Sequence, residues 1–228
     1  MIMNEGKRIL IIEDDQEISK LLSVILTKKE LDSIVAYSGT EGLLQLQNNK
    51  FDLILLDLML PGKSGEELIK KIREENSIPI IVISAKVDIE NKVHVLKMGA
   101  DDYITKPFNQ EEVLARVEVQ LRKSSVHPSR TAENVWRGLK IQPEKLSVSL
   151  DNTELQLTNA EFDILSLFVS HPEHAFSKRE IYESIWKGTY LGDDNTISVH
   201  VSNLRKKMVE ITSDEYIKTI WGVGFMLV

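Results

Sequence analysis

The chain has 228 residues, with 28 Lys and Arg against 35 Asp and Glu and a formal net charge of −7. That length suits one large domain or two small ones, and the acidic balance argues against a general nucleic-acid coat protein without excluding a local basic patch. The chain has no cysteine and no apolar run long enough to span a membrane, which excludes disulfides and thiolate chemistry and makes a cytoplasmic location the simplest expectation.

Strands and helices are predicted to alternate through the first half. Ile9–Ile12 is an apolar run that stops at Glu13-Asp14-Asp15. Ile18, Leu21, Leu22 and Ile25 then recur at helical spacing. A strand at Ser33–Ala36 precedes a helix that follows Gly39 and carries Leu43, Leu44 and Leu46. Leu53–Leu56 reads as a strand buried on both faces, and it ends in Asp57. Leu68, Ile69 and Ile72 mark a third helix, and Ile80–Ser84 a fourth strand. Val93, Leu96 and Lys97 belong to a helix that stops at Gly99. Tyr103–Thr105 is a short strand followed by Lys106, and Val113, Leu114, Val117 and Leu121 mark a fifth helix. Five such units predict an α/β fold, a doubly wound five-stranded parallel sheet.

The strand ends carry the chemistry. An ionised group closing an apolar strand needs a partner or water, and open parallel sheets bind ligands beyond the carboxyl ends of their strands. Asp57 alone is evenly balanced between a functional carboxylate and a turn aspartate. If the strands lie adjacent, however, one edge of the sheet gathers Glu13, Asp14, Asp57 and Lys106. Clustered carboxylates repel unless a cation joins them, and oxygen ligands point to magnesium. The alternative, that Glu13-Asp14-Asp15 caps the next helix, suits Asp15 but leaves Lys106 unexplained.

A polar stretch containing Pro128 predicts a linker over residues 124–133, separating residues 1–123 from a second domain over 134–228. Short strands are expected at Leu139–Ile141, Ser147–Leu150 and Glu154–Leu157, then helices at Asn159–Ser170, Lys178–Trp186 and Asn195–Met208, and a terminal hairpin over Tyr216–Trp221 and Gly224–Val228. On the third of these helices Ile197, Val201, Leu204 and Met208 share the core face. Val199, Ser202, Asn203 and Lys206 are placed opposite, with Arg205 and Lys207 on the flanks. Such a face suits a DNA major groove, with Asn203 on an adenine edge, Val199 on a thymine methyl, and Arg205 and Lys207 on phosphates. Taken alone, the helix fits an ordinary amphipathic helix with a cationic end better. After residue 123, 14 Asp and Glu outnumber 11 Lys and Arg, so DNA affinity would rest on a local basic face and fall steeply with salt.

The two halves together resemble a response regulator of the OmpR/PhoB family. The resemblance rests on Ile9 to Asp15, Asp57-Leu58-Met59-Leu60-Pro61-Gly62, Ser84-Ala85 and Gly99 to Phe108. In the second half it rests on Leu157 to Phe162, Val199-His200-Val201, Leu204 to Lys207, Tyr216 to Thr219 and Gly222 to Phe225. The ending is also similar to that of the vancomycin-resistance regulators. The resemblance implies a receiver domain followed by an α+β winged helix-turn-helix domain. Asp57 would be the phosphoacceptor. Glu13, Asp14, the Asp57 carboxylate and the Met59 backbone carbonyl would hold magnesium. Lys106 and Ser84 would contact the phosphoryl group, and Tyr103 would swing inward as Ser84 moves.

The same resemblance implies a sensor histidine kinase as phosphoryl donor, promoter DNA as target and RNA polymerase as a further partner. The chain would regulate transcription rather than turn over a substrate. A phosphorylation-dependent homodimer would form through Lys92, Asp101, Asp102, Glu112, Arg116 and Arg122. Asn195, Ser202 and Asn203 stand where family members often carry arginine, and Trp221 stands where the wing often has one. Trp221 is expected to pack against the sheet or a sugar-phosphate edge. His200 is expected to be structural or a phosphate contact rather than a metal ligand. A stand-alone haloacid-dehalogenase-like phosphatase would want an aspartate where Met59 stands. A regulator whose second domain binds protein is the other rival.

Overall fold

The apolar runs of the first half form β1 (Arg8–Ile12), β2 (Asp32–Ala36), β3 (Leu53–Leu56), β4 (Ile80–Ser84) and β5 (Asp102–Thr105). These strands make a parallel sheet in the order β2-β1-β3-β4-β5. The structure is a computed structural model that describes residues 6–86, 88–125, 134–186 and 194–228. It divides into two units, residues 1–124 and 125–228. Residues 126–133 of the expected linker lie outside the described residues.

Helices α1 (Gln16–Thr27), α2 (Gly39–Asn48), α3 (Gly65–Glu75), α4 (Ile89–Lys97) and α5 (Gln110–Ser125) connect the strands. Every side chain of β3 and β4 is buried, as expected when helices cover both faces of a parallel sheet. One core joins Leu22, Ile25 and Leu26 of α1 and Val113, Val117 and Leu121 of α5 to Ile9, Ile11, Leu53, Leu55, Ile81, Ile83 and Ile104. Each such side chain contributes roughly 1.5–3 kcal/mol on burial.

One residue of the expected apolar stripe, and one leucine of α2, face water instead. Leu21 is 50% exposed, because the buried stripe of α1 runs through Ser19, Leu22, Ile25 and Leu26. Leu44 is exposed because α2 turns Gly39 and Gly42 inward. A Cβ on Gly42 would lie 2.6 Å from Ile12 Cδ1, so the helix backbone itself packs on the sheet.

Helix ends are set locally. Asp15 accepts from the backbone N–H groups of Glu17 and Ile18 at 2.8 and 3.0 Å, which is the cap expected of it. Ser64 and Glu67 form a capping box at the start of α3. Gly99, at φ +112°, ends the turn after α4. Beside it, Arg73 donates to the Gly99, Ile78 and Asp101 oxygens at 2.9, 2.7 and 2.8 Å. Asp101 is fully buried and also accepts from Ile80 N at 3.0 Å.

The second unit starts with an antiparallel sheet of β6 (Asn134–Trp136), β7 (Leu139–Gln142), β8 (Ser147–Leu150) and β9 (Thr153–Glu154). The strand expected over Glu154–Leu157 stops at Glu154, because Thr158 already caps the next helix through a box with Glu161. Then follow α6 (Asn159–Ser170), β10 (Ala175–Ser177), α7 (Lys178–Trp186), α8 (Asp194–Val209), β11 (Ile217–Ile220) and β12 (Gly224–Leu227). The last sheet runs β10-β12-β11 and is antiparallel. Helices α6, α7 and α8 pack on one another and bury Ile164, Leu165, Phe168, Ile181, Ile197, Val201 and Leu204. The short strands β6 and β10 escape hydrophobic periodicity because so few residues cannot define an alternation.

Asp101→Ala should destabilise the first unit by about 3 kcal/mol, since it strands the Arg73 charge and the Ile80 N–H. Urea unfolding checks this, and Asp101→Asn should lose less because its amide oxygen can still accept from Ile80.

Candidate functional site

Parallel register builds the site. Ile12 pairs with Leu56, so Glu13 and Asp57 leave adjacent strands side by side, and Asp57 N donates to Ile12 O at 2.9 Å. Ser84 pairs with Thr105, and Lys106 N donates to Ser84 O at 2.9 Å. The Lys106 side chain then spans the sheet edge. Its Nζ donates to Asp57 Oδ2 at 2.6 Å and to Glu13 Oε2 at 2.7 Å. Met59 N donates to Asp57 Oδ1 at 3.1 Å. Gly65 lets α3 approach the loop, since a Cβ there would lie 2.6 Å from the Asp57 carbonyl oxygen.

Glu13 and Asp57 are buried, while Asp14 is exposed at the rim. Burial pushes the Glu13 carboxyl up to about 7; the Lys106 hydrogen bond opposes that rise and the neighbouring Asp57 charge adds to it. Burial would lower Lys106, but its hydrogen bonds to Asp57 and Glu13 outweigh it and the ammonium is held above its ordinary value. Glu13, Asp14 and Asp57 each offer a carboxylate oxygen within 4.8 Å of the others. Three oxygen donors with a surplus of negative charge fit a hard divalent cation such as magnesium.

Ser84 is fully buried and accepts from Lys86 N at 3.4 Å. Tyr103 lies inward, its hydroxyl donating to the Lys86 carbonyl. Burial raises the Tyr103 pKa, and a hydrogen bond with Ser84 opposes the rise. Lys92 Nζ lies 5.7 Å from the centre of the tyrosine ring. Lys86 also bridges to Glu66 at 2.9 Å, tying the loop after β4 to the start of α3. Sequence reading missed both Lys86 and Glu66, because a loop residue and a nonlocal ion pair leave no periodic signal.

Several of the expected dimer residues pair within the chain. Asp101 is held inside by Arg73, so it cannot reach a partner surface. Asp102 is also buried, and both its oxygens accept from Arg116 Nη1 at 2.7 and 2.8 Å. Arg116 holds Glu112 as well, at 3.0 Å. The side chain of Arg122 lies outside the described residues.

Helix α8 differs from its expected phase. Val199 and Asn203, placed on the outer face by the sequence, are 5% and 7% exposed. Asn195, Ser198, Ser202, Lys206 and Val209 instead form the stripe that reaches solvent. The reason is that α8 packs against both α6 and α7, so its buried arc is wider than one row of apolar residues. Arg205 is a brace to the hairpin, donating to Ile217 O and Thr219 Oγ1, both at 2.9 Å. Lys207 Nζ lies 2.6 Å from the buried Glu161. His200 is fully buried, and its ring stacks on Trp186 with centroids 6.2 Å apart. Trp221 does not pack on the sheet; it is 91% exposed.

A cluster of carboxylates bridged by a lysine at the strand ends of a five-stranded parallel sheet, followed by a winged-helix unit, is the architecture of a response regulator. The response regulator receiver domain family matches residues 9–118, and the family described as transcriptional regulatory protein, C terminal, matches residues 152–227. The chain therefore belongs to the two-component response regulators with an OmpR/PhoB-type DNA-binding domain, a class that regulates transcription. It is 39% identical over 226 residues to the transcriptional regulatory protein YcbL of Bacillus subtilis, covering 96% of this chain and 99% of that one. It is 36% identical over 220 residues to the response regulator ArlR of Staphylococcus aureus, covering 96% and 99%. Among solved structures, a point mutant of RitR matches with TM-score 0.76 and 26% identity over 98% of this chain and 99% of that one. The response regulator DrrB of Thermotoga maritima, an OmpR/PhoB homolog, matches with TM-score 0.53 and 28% identity over 97% and 99%. No described helix is long and apolar enough to cross a membrane.

Lys106→Ala should bind magnesium more tightly than the unsubstituted protein, because it removes a cation that competes for the same two carboxylates. Isothermal titration checks this, and weaker magnesium binding would contradict it.

Proposed function

We propose that the chain is a cytoplasmic regulator switched by phosphorylation of Asp57. The observation that carries this reading is the Lys106 ammonium bridging two buried carboxylates at the strand ends, with Asp14 at the rim. A sensor histidine kinase would present a phosphohistidine. A carboxylate oxygen of Asp57 attacks phosphorus in line, the nitrogen–phosphorus bond breaks, and the phosphoryl group remains as an acyl phosphate. Lys106 exchanges its bond to Asp57 for the phosphoryl oxygens, and the Ser84 hydroxyl donates to one of them. Magnesium, held by Glu13, Asp14, Asp57 and the Met59 carbonyl, would neutralise the charge that builds up during transfer. Attack by water later restores the carboxylate.

Phosphorylation would then favour a symmetric receiver dimer, in which two DNA-binding units engage paired half-sites with avidity. Residues 1–123 would act as the receiver, 124–133 as a linker and 134–228 as the DNA-binding domain. The solvent-facing stripe of α8, through Asn195, Ser198, Ser202 and Lys206, would enter the major groove of promoter DNA. Bound at a promoter, the chain would contact RNA polymerase. Lys92 and Glu112 remain candidates for the dimer face. The Arg116 pairs with Asp102 and Glu112 would have to re-form across the two-fold axis to contribute.

Gel filtration with light scattering tests the switch. Magnesium plus beryllium fluoride, a phosphoryl mimic, should convert monomer to dimer in the unsubstituted protein and leave Asp57→Ala monomeric. The same shift in both proteins would contradict a switch built on Asp57.

A further inference from the structure

Lys86 follows the end of β4 and makes three contacts at once. Its backbone N–H donates to Ser84 Oγ at 3.4 Å, its carbonyl accepts from the Tyr103 hydroxyl, and its Nζ lies 2.9 Å from Glu66 Oε1. One residue therefore joins the serine, the tyrosine and the head of α3. Its backbone serves the sheet edge, while its side chain is bound to a different element.

The Glu66 end is a firm anchor. Ser64 N donates to the Glu67 carboxylate at 2.9 Å, and Ser64 Oγ accepts from Glu67 N at 3.2 Å. Gly65 N donates to Leu58 O at 3.1 Å, so the start of α3 is tied to the loop after Asp57. A carboxylate in this first turn is favoured by the helix dipole. Burial opposes the Glu66 charge, but hydrogen bonds from Lys86 and the backbone outweigh it and hold the carboxyl below its ordinary value. The Lys86 and Glu66 side chains are 34% and 25% exposed, so salt screens the pair less than one lying fully in water.

At the other end, Tyr103 is 2% exposed, and a buried hydroxyl without an acceptor is costly. The Lys86 carbonyl is an acceptor whose place depends on what holds Lys86. From this geometry we infer that Glu66 and Lys86 are positioning residues for Tyr103. Their ion pair fixes the carbonyl that receives the hydroxyl, and so keeps the ring inward whether or not Asp57 is phosphorylated. Ser84 also bonds the tyrosine, and the rival account is that Ser84 alone sets the ring. The inference deepens the switch proposed above and rests on it for its consequence: the pair biases the receiver toward the inward-tyrosine population before a phosphoryl group arrives.

Fluorine NMR of the full-length chain labelled with 3-fluorotyrosine reads the ring directly. The chain has five tyrosines, and Tyr103→Phe assigns the signal. A neutral nitroxide in solution broadens exposed rings and spares buried ones. Without magnesium or beryllium fluoride, the Tyr103 signal of the unsubstituted chain should be protected. Glu66→Gln should increase its broadening roughly fivefold, the population shift supplied by an ion pair at the upper end of the surface range. Glu66→Lys combined with Lys86→Glu should restore protection, because it rebuilds the pair with its charges reversed. Equal protection in Glu66→Gln and the unsubstituted chain would overturn the inference and leave Ser84 to set the ring. An exposed ring in the unsubstituted chain, or no recovery with the reversed pair, would also overturn it. Light scattering with magnesium and beryllium fluoride bears on the switch separately. A chain whose Tyr103 answers to Glu66 but which stays monomeric would uphold the positioning role and overturn the proposed switch.

Discussion

The buried carboxylates of Glu13 and Asp57 leave neighbouring parallel strands at the same level, and their charges would repel in a poorly solvated pocket. Lys106 reaches from β5 to hold both of them at hydrogen-bond distance. That one ammonium joins three strand ends and explains why the carboxylates tolerate burial. The balance is incomplete: Glu13 is still pushed up to about 7, burial being the largest cause. A site with surplus negative charge beyond that one ammonium fits a divalent ion.

The consequences reach outward through the loop after β4. Ser84 and Tyr103 meet at that edge, and Tyr103 donates to the Lys86 carbonyl. Lys86 in turn grips Glu66 at the head of α3. These contacts join Ser84, Tyr103, the loop after β4 and the head of α3 beside a sheet whose central strands are buried on both faces. At the other end of β5, Arg73 pairs with Asp101 and Arg116 with Asp102. Both carboxylates are buried.

The sheet and the acidic edge were legible in the sequence because both depend on local pattern. Strands of consecutive branched apolar residues ended in Glu13, Asp57 and Lys106, and parallel order brought those ends together. Leu21, Val199 and Asn203 were placed on the wrong side for one shared reason. Each lies on a helix whose buried arc is set by the packing partner rather than by the helix's own apolar stripe. Helix α8, for instance, touches two helices. Arg205 and Lys207 looked like free cations, yet one braces the hairpin and the other holds Glu161. Such nonlocal pairs have no spacing rule. Of the two expectations for Trp221, packing on the sheet fails because the side chain is 91% exposed, which no local pattern announces.

The central claim is that Asp57 accepts a phosphoryl group with the help of magnesium and Lys106. Intact-mass spectrometry after incubation with phosphoramidate tests it without needing the kinase. The account predicts a single phosphoryl addition that requires magnesium, is abolished in Asp57→Ala, and maps to the peptide containing Asp57. A stable addition at another residue, or the same addition in Asp57→Ala, would contradict it.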